Sequence, residues 1–203
     1  MSGAEIAAPE SVLEQSLGEL LEAIADERPL PGAGFAAALV AALATGLVSM
    51  ASRISTPSWP DANGVKAQAK TLLDRAVPLA QANVEAYEQA LAALRAPGGL
   101  DERERRDFAL GRALAKAAQG PFAITELATD VALLAAVVAD EGDPAVRGDA
   151  AAAAALAAAA ARAGAHLIAI NLAATADDPR LRRANDLAAL AAEAADRALA
   201  TGA

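Results

Sequence analysis

The chain has 203 residues, a length that fits one domain with a full core, and we expect a single domain over residues 1–203. Roughly a third of the residues are alanine and 2% are aromatic. This composition predicts an almost wholly helical protein, because alanine is the best helix former. The formal net charge of −9 argues against the basic surface that nucleic-acid binding needs, so we expect no nucleic-acid partner. The absence of cysteine excludes disulfides and thiolate chemistry.

Apolar residues recur at helical spacing along the chain, and proline or glycine separates the helical stretches. The first predicted helix covers residues 11–26, with Ser11 and Glu14 as its capping box. We expect an all-α fold, a bundle of about six long helices. The later helices are predicted at about 33–55, at about 65–94 with a kink at Pro78, at 101–140 with a bend or break at Gly120–Pro121, at 149–175, and at 178–199.

The junction before the second predicted helix is the most informative part of the chain. Its sequence, Pro31–Gly32–Ala33–Gly34, permits a sharp bend, since glycine adopts backbone angles closed to other residues. The helix that follows presents unpaired N–H groups and the positive end of its dipole, which suits an anionic ligand. We expect this helix at the centre of the bundle, with an apolar stripe (Leu39, Leu43, Leu47, Met50, Ile54) beside a flat face (Gly34, Ala38, Ala42, Gly46).

Two apolar runs, 35–51 and 150–161, resemble membrane spans by eye. The first contains threonine, glycine and serine, and the second is nearly pure alanine, so neither offers roughly 20 strongly apolar residues. Residues 1–10 also lack the basic and apolar regions of a secretory signal. We therefore expect helices that are buried within the protein, no membrane partner, and a cytoplasmic location by default.

A few polar side chains stand among apolar neighbours on the predicted helices. The only histidine, His166, suits either a general acid or base or a core residue held by a carbonyl or carboxylate. Because no second histidine or cysteine exists, we expect no metal site. Asp149 precedes an alanine run and suits either a helix N-cap or a contact to a substrate cation. Asn83 and Tyr87 share a helix face, and Asn171 is an amide that needs a partner when buried.

Short blocks that follow one another along nearly the whole chain form a recognisable series. They are residues 20–24, the Pro31–Phe35 turn, Leu47–Ala51, Asn83–Tyr87, the stretch from Arg106 to Phe122, the stretch 142–149, and Ile170–Leu172. In their order and spacing they resemble the formiminotransferase-cyclodeaminase and methenyltetrahydrofolate cyclohydrolase family. The resemblance extends from the first amphipathic helix to the isoleucine-asparagine-leucine segment.

This resemblance implies a homodimeric enzyme of one-carbon metabolism. Family members close formiminotetrahydrofolate to methenyltetrahydrofolate with loss of ammonia, or open the methenyl form with water. For this chain it implies catalytic roles for Asp149, which would stabilise the cationic centre, and His166, which would move protons. It implies no cofactor apart from a tetrahydrofolate derivative as substrate, and its substrate-binding residues are Pro31, Gly32, Gly34, Phe35, Asn83, Tyr87 and Asn171.

The chain departs from the family pattern inside the motifs. Phe35 stands where the family has serine, Asn83 where it has aspartate, and His166 where it has asparagine. The leading hypothesis is an enzyme that acts on a C–N bond of a tetrahydrofolate-type substrate, or of another amidine or cyclic imine. The alternative is a non-catalytic homodimeric binding or assembly protein that keeps the scaffold. Trp59, in a proline-bounded loop, suits a lid, a subunit contact or a stacking surface for a planar ligand.

Overall fold

The protein is an assembly of helices, and a computed structural model describes residues 14–27, 31–95, 103–172 and 178–201. Within these ranges no strand occurs, which confirms the all-α prediction. Six of the seven α-helices found there have 15 residues or more. They are α1 (Leu17–Ala25), α2 (Ala33–Ser55), α3 (Ala62–Arg95), α4 (Arg103–Ala117), α5 (Gln119–Glu141), α6 (Arg147–Asn171) and α7 (Pro179–Ala200), with a 3₁₀ turn at Pro144–Val146.

Helix α1 begins later than the sequence indicated. Ser11 lies outside the described residues, and the capping box is formed by Ser16 and Glu19. The Ser16 backbone N–H donates to Glu19 Oε2 at 2.8 Å, and the Glu19 N–H donates to Ser16 Oγ at 3.3 Å. These two residues have the same serine-to-glutamate spacing as Ser11 and Glu14, so a capping box of the predicted type lies five residues further along the chain.

Helices α4 and α5 are separate, as the sequence predicted, but the break lies at Ala118. Pro121 is the third residue of α5, where the backbone N–H has no intrahelical partner in any helix. A proline is therefore tolerated in this first turn, and it fixes where α5 begins. Pro78, in contrast, lies inside α3, which continues from Ala62 to Arg95.

The centre of the bundle is α5, which corrects the expectation for α2. Helix α5 buries residues on all its sides and packs against α2, α3, α6 and α7. The apolar stripe predicted for α2 is not its buried face, because Leu43, Met50 and Ile54 are exposed. Helix α2 buries a different face, which carries Phe35 at one end, Val48 in the middle and many alanines. Small side chains let this face approach its neighbours closely, and the larger apolar side chains remain outside.

Helices α5 and α6 approach each other closely at Gly164. A Cβ atom at this position would collide with Thr125 Oγ1 and would lie 2.9 Å from the carbonyl oxygen of Pro121. Helix α7 is joined to α5 by the buried Thr129, whose Oγ1 lies 2.8 Å from the Thr125 carbonyl and 3.1 Å from that of Leu187. These contacts set the mutual rotation of the three helices.

The loop after α2 is held against the core by the side chain of Trp59. Its side chain is 9% exposed and packs in the main apolar cluster. Its backbone N–H donates to the Ser55 carbonyl at 2.9 Å, while Ser55 Oγ accepts from the Asp143 N–H at 2.8 Å. Ser55 thus ties the ends of α2 and α5 together, and Trp59 packs as a core residue.

Three helical stretches, Ala33–Ser55, Gly111–Glu141 and Pro144–Asn171, are long and apolar enough to cross a membrane by length and composition. On that criterion the expectation that no run suffices was wrong. The bundle buries 61% of the apolar window in the second stretch and 50% in each of the other two. Half of each of those two windows therefore lies outside the buried interior.

Candidate active site

A cavity of about 140 Å³ lies where α2 begins, α6 ends and α4 gives way to α5. The middle of α3 closes its remaining side. The cavity therefore brings together segments that are far apart in the sequence. Its lining residues are Gly32, Ala33, Gly34, Asn83, Tyr87, Ala117, Pro121, Leu167 and Asn171.

The start of α2 forms one wall of the cavity. Gly32 is the N-cap residue, and no side chain caps this helix end. The first N–H groups of α2 are thus left for another acceptor, and the positive end of the helix dipole is at the cavity. The Gly32 backbone has φ −104° and ψ −164°, so the left-handed freedom expected of this glycine is not used.

Asn83 explains the glycine at position 34 and also Gly120, which the sequence marked only as part of a helix break. A Cβ atom at Gly34 would collide with the Asn83 carboxamide. A Cβ atom at Gly120 would lie 2.9 Å from Asn83 Nδ2. The carboxamide therefore lies between the starts of α2 and α5, and both glycines allow its close approach.

The polar side chains of the cavity have unused hydrogen-bonding capacity. Within the part of the chain that the structure describes, Asn83, Tyr87 and Asn171 form no side-chain hydrogen bond. Asn83 and Tyr87 are four residues apart on α3, and Leu167 and Asn171 are four apart on α6, so each pair shares a helix face. Two amides, a phenol and an uncapped helix end thus converge on one space.

Among the described lining residues, Tyr87 is the only one with a titratable side chain. The described lining includes neither a carboxylate nor an imidazole, and no group of three or more histidine, cysteine or acidic residues in the described ranges could hold a metal ion. Recognition in this space thus rests on neutral donors and acceptors and on the helix dipole. Such a set orients a planar polar ligand or binds an anionic group.

The structure places the two predicted catalytic residues outside the cavity. His166 is exposed and lines a groove between α6 and α7 together with Arg162 and Asn185. Consecutive helical residues point about 100° apart, so His166 faces α7 while Leu167 faces the cavity. Asp149 is exposed in the first turn of α6, about 33 Å along the helix from Asn171 at 1.5 Å per residue. The N-cap of α6 is Val146, so the capping role considered for Asp149 was wrong.

Phe35 and Pro31 do not line the cavity either. Phe35 is completely buried in a second apolar cluster with Leu20, Val84 and Ile124. Its ring fills the core beneath the start of α2 and leaves the cavity open. Five of the predicted binding residues do line the cavity: Gly32, Gly34, Asn83, Tyr87 and Asn171.

Sequence reasoning missed the contributions of Ala117, Pro121 and Gly120. Ala117 and Pro121 line the cavity because α4 ends and α5 begins beside it. The glycine-proline pair at 120–121 was a usable signal, because it marks a helix start as well as a break. Nothing in the sequence indicates that this start faces Asn83.

Comparisons with known proteins agree with this architecture. A family model described as formiminotransferase-cyclodeaminase matches residues 16–189. No curated protein sequence gives a significant match. A crystal structure of formiminotetrahydrofolate cyclodeaminase from Thermotoga maritima shares the fold, with a TM-score of 0.79 over 92% of this chain and 95% of that chain at 22% identity. Since the family model covers most of the sequence, the chain belongs to the formiminotransferase-cyclodeaminase family.

Proposed function

We propose that the cavity between α2, α3 and α6 binds a tetrahydrofolate-type compound, and that the protein acts there on a C–N bond of a formimino or methenyl group. Family membership supports the class of ligand. The observation that carries the proposal is the convergence of Asn83, Tyr87 and Asn171, which are all without hydrogen-bond partners in the described chain, on a helix start without a side-chain cap. Polar groups that converge on a cavity and have no protein partner are available to orient a ligand.

Opening or closing a methenyl bridge passes through a tetrahedral carbon between two nitrogens. The step needs a proton carrier for the departing nitrogen and groups that orient the reacting atoms. In this proposal the two asparagine carboxamides and the α2 N–H groups orient the ligand. Of the described lining side chains, only Tyr87 can carry a proton, through its hydroxyl group.

Catalytic roles for Asp149 and His166 are part of the proposal only if a second subunit contributes. Asp149 is about 33 Å along α6 from the cavity end of that helix, too far to act within one chain. His166 lies on the side of α6 that faces α7. A homodimer that brings these residues to a neighbouring cavity would supply the missing carboxylate and imidazole.

A second candidate function is non-catalytic binding. It is favoured by the lack of any carboxylate, imidazole or amine among the described cavity-lining side chains. A protein of this kind would keep the cavity and its orienting groups, and would bind the folate-type compound without turnover. The two candidates share the ligand and differ in the chemistry.

The test is to incubate the purified protein with methenyltetrahydrofolate, follow the methenyl absorbance, and measure binding by calorimetry. Faster loss of absorbance than in buffer supports the enzyme, and Tyr87→Phe and His166→Ala then show which group moves the proton. Binding without turnover supports the second candidate. If neither formiminotetrahydrofolate nor methenyltetrahydrofolate binds or reacts, the folate proposal is wrong.

Asn171→Ala tests whether the ligand occupies this cavity. Loss of a ligand hydrogen bond worth about 1–1.5 kcal/mol weakens binding about tenfold. The matched control is Asn185→Ala, the same change in the groove between α6 and α7. Equal weakening by both variants would mean that the ligand is not held in the cavity.

A further inference from the structure

A second open site lies on the other side of the α4–α5 junction. It is a groove of about 560 Å³ whose charged residues are Arg112 and Lys116 of α4 and Arg180 of α7. Ala113, Ala115 and Gln119 complete the described lining, so no carboxylate is among these lining residues. Three cations around one groove, of which Arg112 and Lys116 have no acidic partner in the described chain, stand out in a chain whose net charge is −9.

Arg180 is held in a fixed orientation. Its Nε donates to Asp178 Oδ1 at 3.0 Å, its Nη2 donates to Asp178 Oδ2 at 2.6 Å, and its Nη1 donates to the Ala115 carbonyl at 3.1 Å. A guanidinium has five N–H donors, so two of them remain after these bonds. Because Asp178 and Ala115 already hold the group, a ligand need not order it.

The other two cations lack an acidic partner in the described chain. Lys116 Nζ donates to the neutral Gln89 Oε1 at 3.0 Å. The Arg112 guanidinium forms neither an ion pair nor a hydrogen bond within the described ranges. Arg112 and Lys116 are four residues apart on α4, so both point to the same side of the helix.

We propose that this groove binds a doubly charged anion, a phosphate monoester or a dicarboxylate. The two N–H groups of Arg180 that remain after these bonds can donate to either group. Because Asp178 already neutralises Arg180, Arg112 and Lys116 balance the two negative charges of the ligand. The site is separate from the cavity described above, since the two share no lining residue. It also does not rest on folate binding, and it can be tested when no folate is present.

The experiment is calorimetric titration of the full chain with inorganic phosphate and, separately, with glutarate, at constant ionic strength set by chloride. We expect one saturable site, and Arg112→Gln and Lys116→Gln each to weaken it about tenfold, as charge-assisted hydrogen bonds would. The tighter of the two probes identifies the phosphate or the carboxylate class. Neither substitution touches a buried contact, because both side chains are exposed.

Arg182→Gln is the matched control, since it removes the same charge from an exposed position of α7 that does not line the groove. The Arg182→Gln control should change the affinity for the anion by no more than about twofold to threefold. The proposal is wrong if neither anion binds saturably above the chloride background. It is equally wrong if Arg182→Gln weakens binding as much as Arg112→Gln, because the attraction would then come from diffuse charge.

Discussion

Gly34 lets the start of α2 pass close to the Asn83 carboxamide. The substitution Gly34→Ala, which adds one methyl group, therefore tests whether this carboxamide contributes to ligand binding in the cavity. The added Cβ collides with a side-chain amide, which can rotate away, so the free energy of unfolding should change by less than about 1 kcal/mol. The carboxamide then loses its orientation, and we expect folate-type ligand binding to weaken about tenfold. Calorimetry measures the loss.

A double-mutant cycle separates this effect from simple blocking of the cavity. In an Asn83→Ala background the collision is gone, so adding Gly34→Ala should cost little further binding. Gly64→Ala, at an exposed site with no atom within 4 Å of its Cβ, controls for the glycine-to-alanine change itself. An undiminished loss in the Asn83→Ala background would mean that the methyl group fills the ligand space.

Asp178 gives the clearest dependence on pH. Hydrogen bonds from the side chain and then the backbone of Arg180 lower the pKa of this carboxyl from 3.8 to about 2. A folded-state pKa below the unfolded value means that the stabilisation is present above pH 3.8 and is lost as the pH falls through 2.

Asp178→Asn keeps a good N-cap for α7 but removes the charge. We therefore expect a lower urea midpoint than for the unmodified chain at pH 5 to 7, and a difference that shrinks between pH 3.8 and 2. Denaturation curves at these pH values measure the difference. A difference in urea midpoint that stays constant down to pH 2 would show that Arg180 stabilises the fold without help from the ionised carboxylate.

The sequence predicted part of the candidate site for reasons that are clear residue by residue. Asn83 and Tyr87 are four residues apart, a spacing that places them together whatever the rest of the fold does. The position of His166 could not be predicted in this way. His166 and Leu167 point about 100° apart on α6, so the rotation of the helix about its axis decides which of them faces the cavity. That rotation is set by contacts such as the approach of Gly164 to α5, which no local pattern records.

At the scale of the helices, the same glycine-to-alanine change should have opposite effects at two positions. Gly164→Ala places a methyl group against Thr125 Oγ1 and the Pro121 carbonyl, so α5 and α6 must separate. Overpacking of this kind destabilises by about 1–3 kcal/mol. Gly111→Ala in α4 adds a methyl group in open space and should stabilise by about 0.5–1 kcal/mol through helix propensity.

Urea denaturation of both variants measures the two changes in unfolding free energy. A stabilising effect at Gly164 would mean that the two helices are not in close contact there. The sequence could not distinguish these glycines, since both stand in alanine-rich helical stretches. The sequence did predict the helices themselves well, because proline and glycine mark their ends. It did not show which face is buried, because alanine occurs on all sides of these helices.

At the scale of the molecule, α2 carries a ridge of exposed apolar side chains. Leu43, Met50 and Ile54 occupy one side of the helix, and Leu43 is 59% exposed. Exposed apolar surface of this kind in a soluble protein usually contacts a partner. We propose that this ridge forms the interface of the homodimer that the family resemblance implies.

Light scattering after size-exclusion chromatography measures the oligomer directly. We expect twice the mass of the chain, and a monomer for the Leu43→Lys, Ile54→Lys double variant, since lysine placed in an apolar interface loses its hydration. Leu199→Lys, also at an exposed leucine, is the control and should stay dimeric.

Since α2 is also apolar and long enough to cross a bilayer, the same samples are sedimented with lipid vesicles. A monomer in solution that sediments with vesicles through Leu43 and Ile54 would assign the ridge to lipid and contradict the dimer.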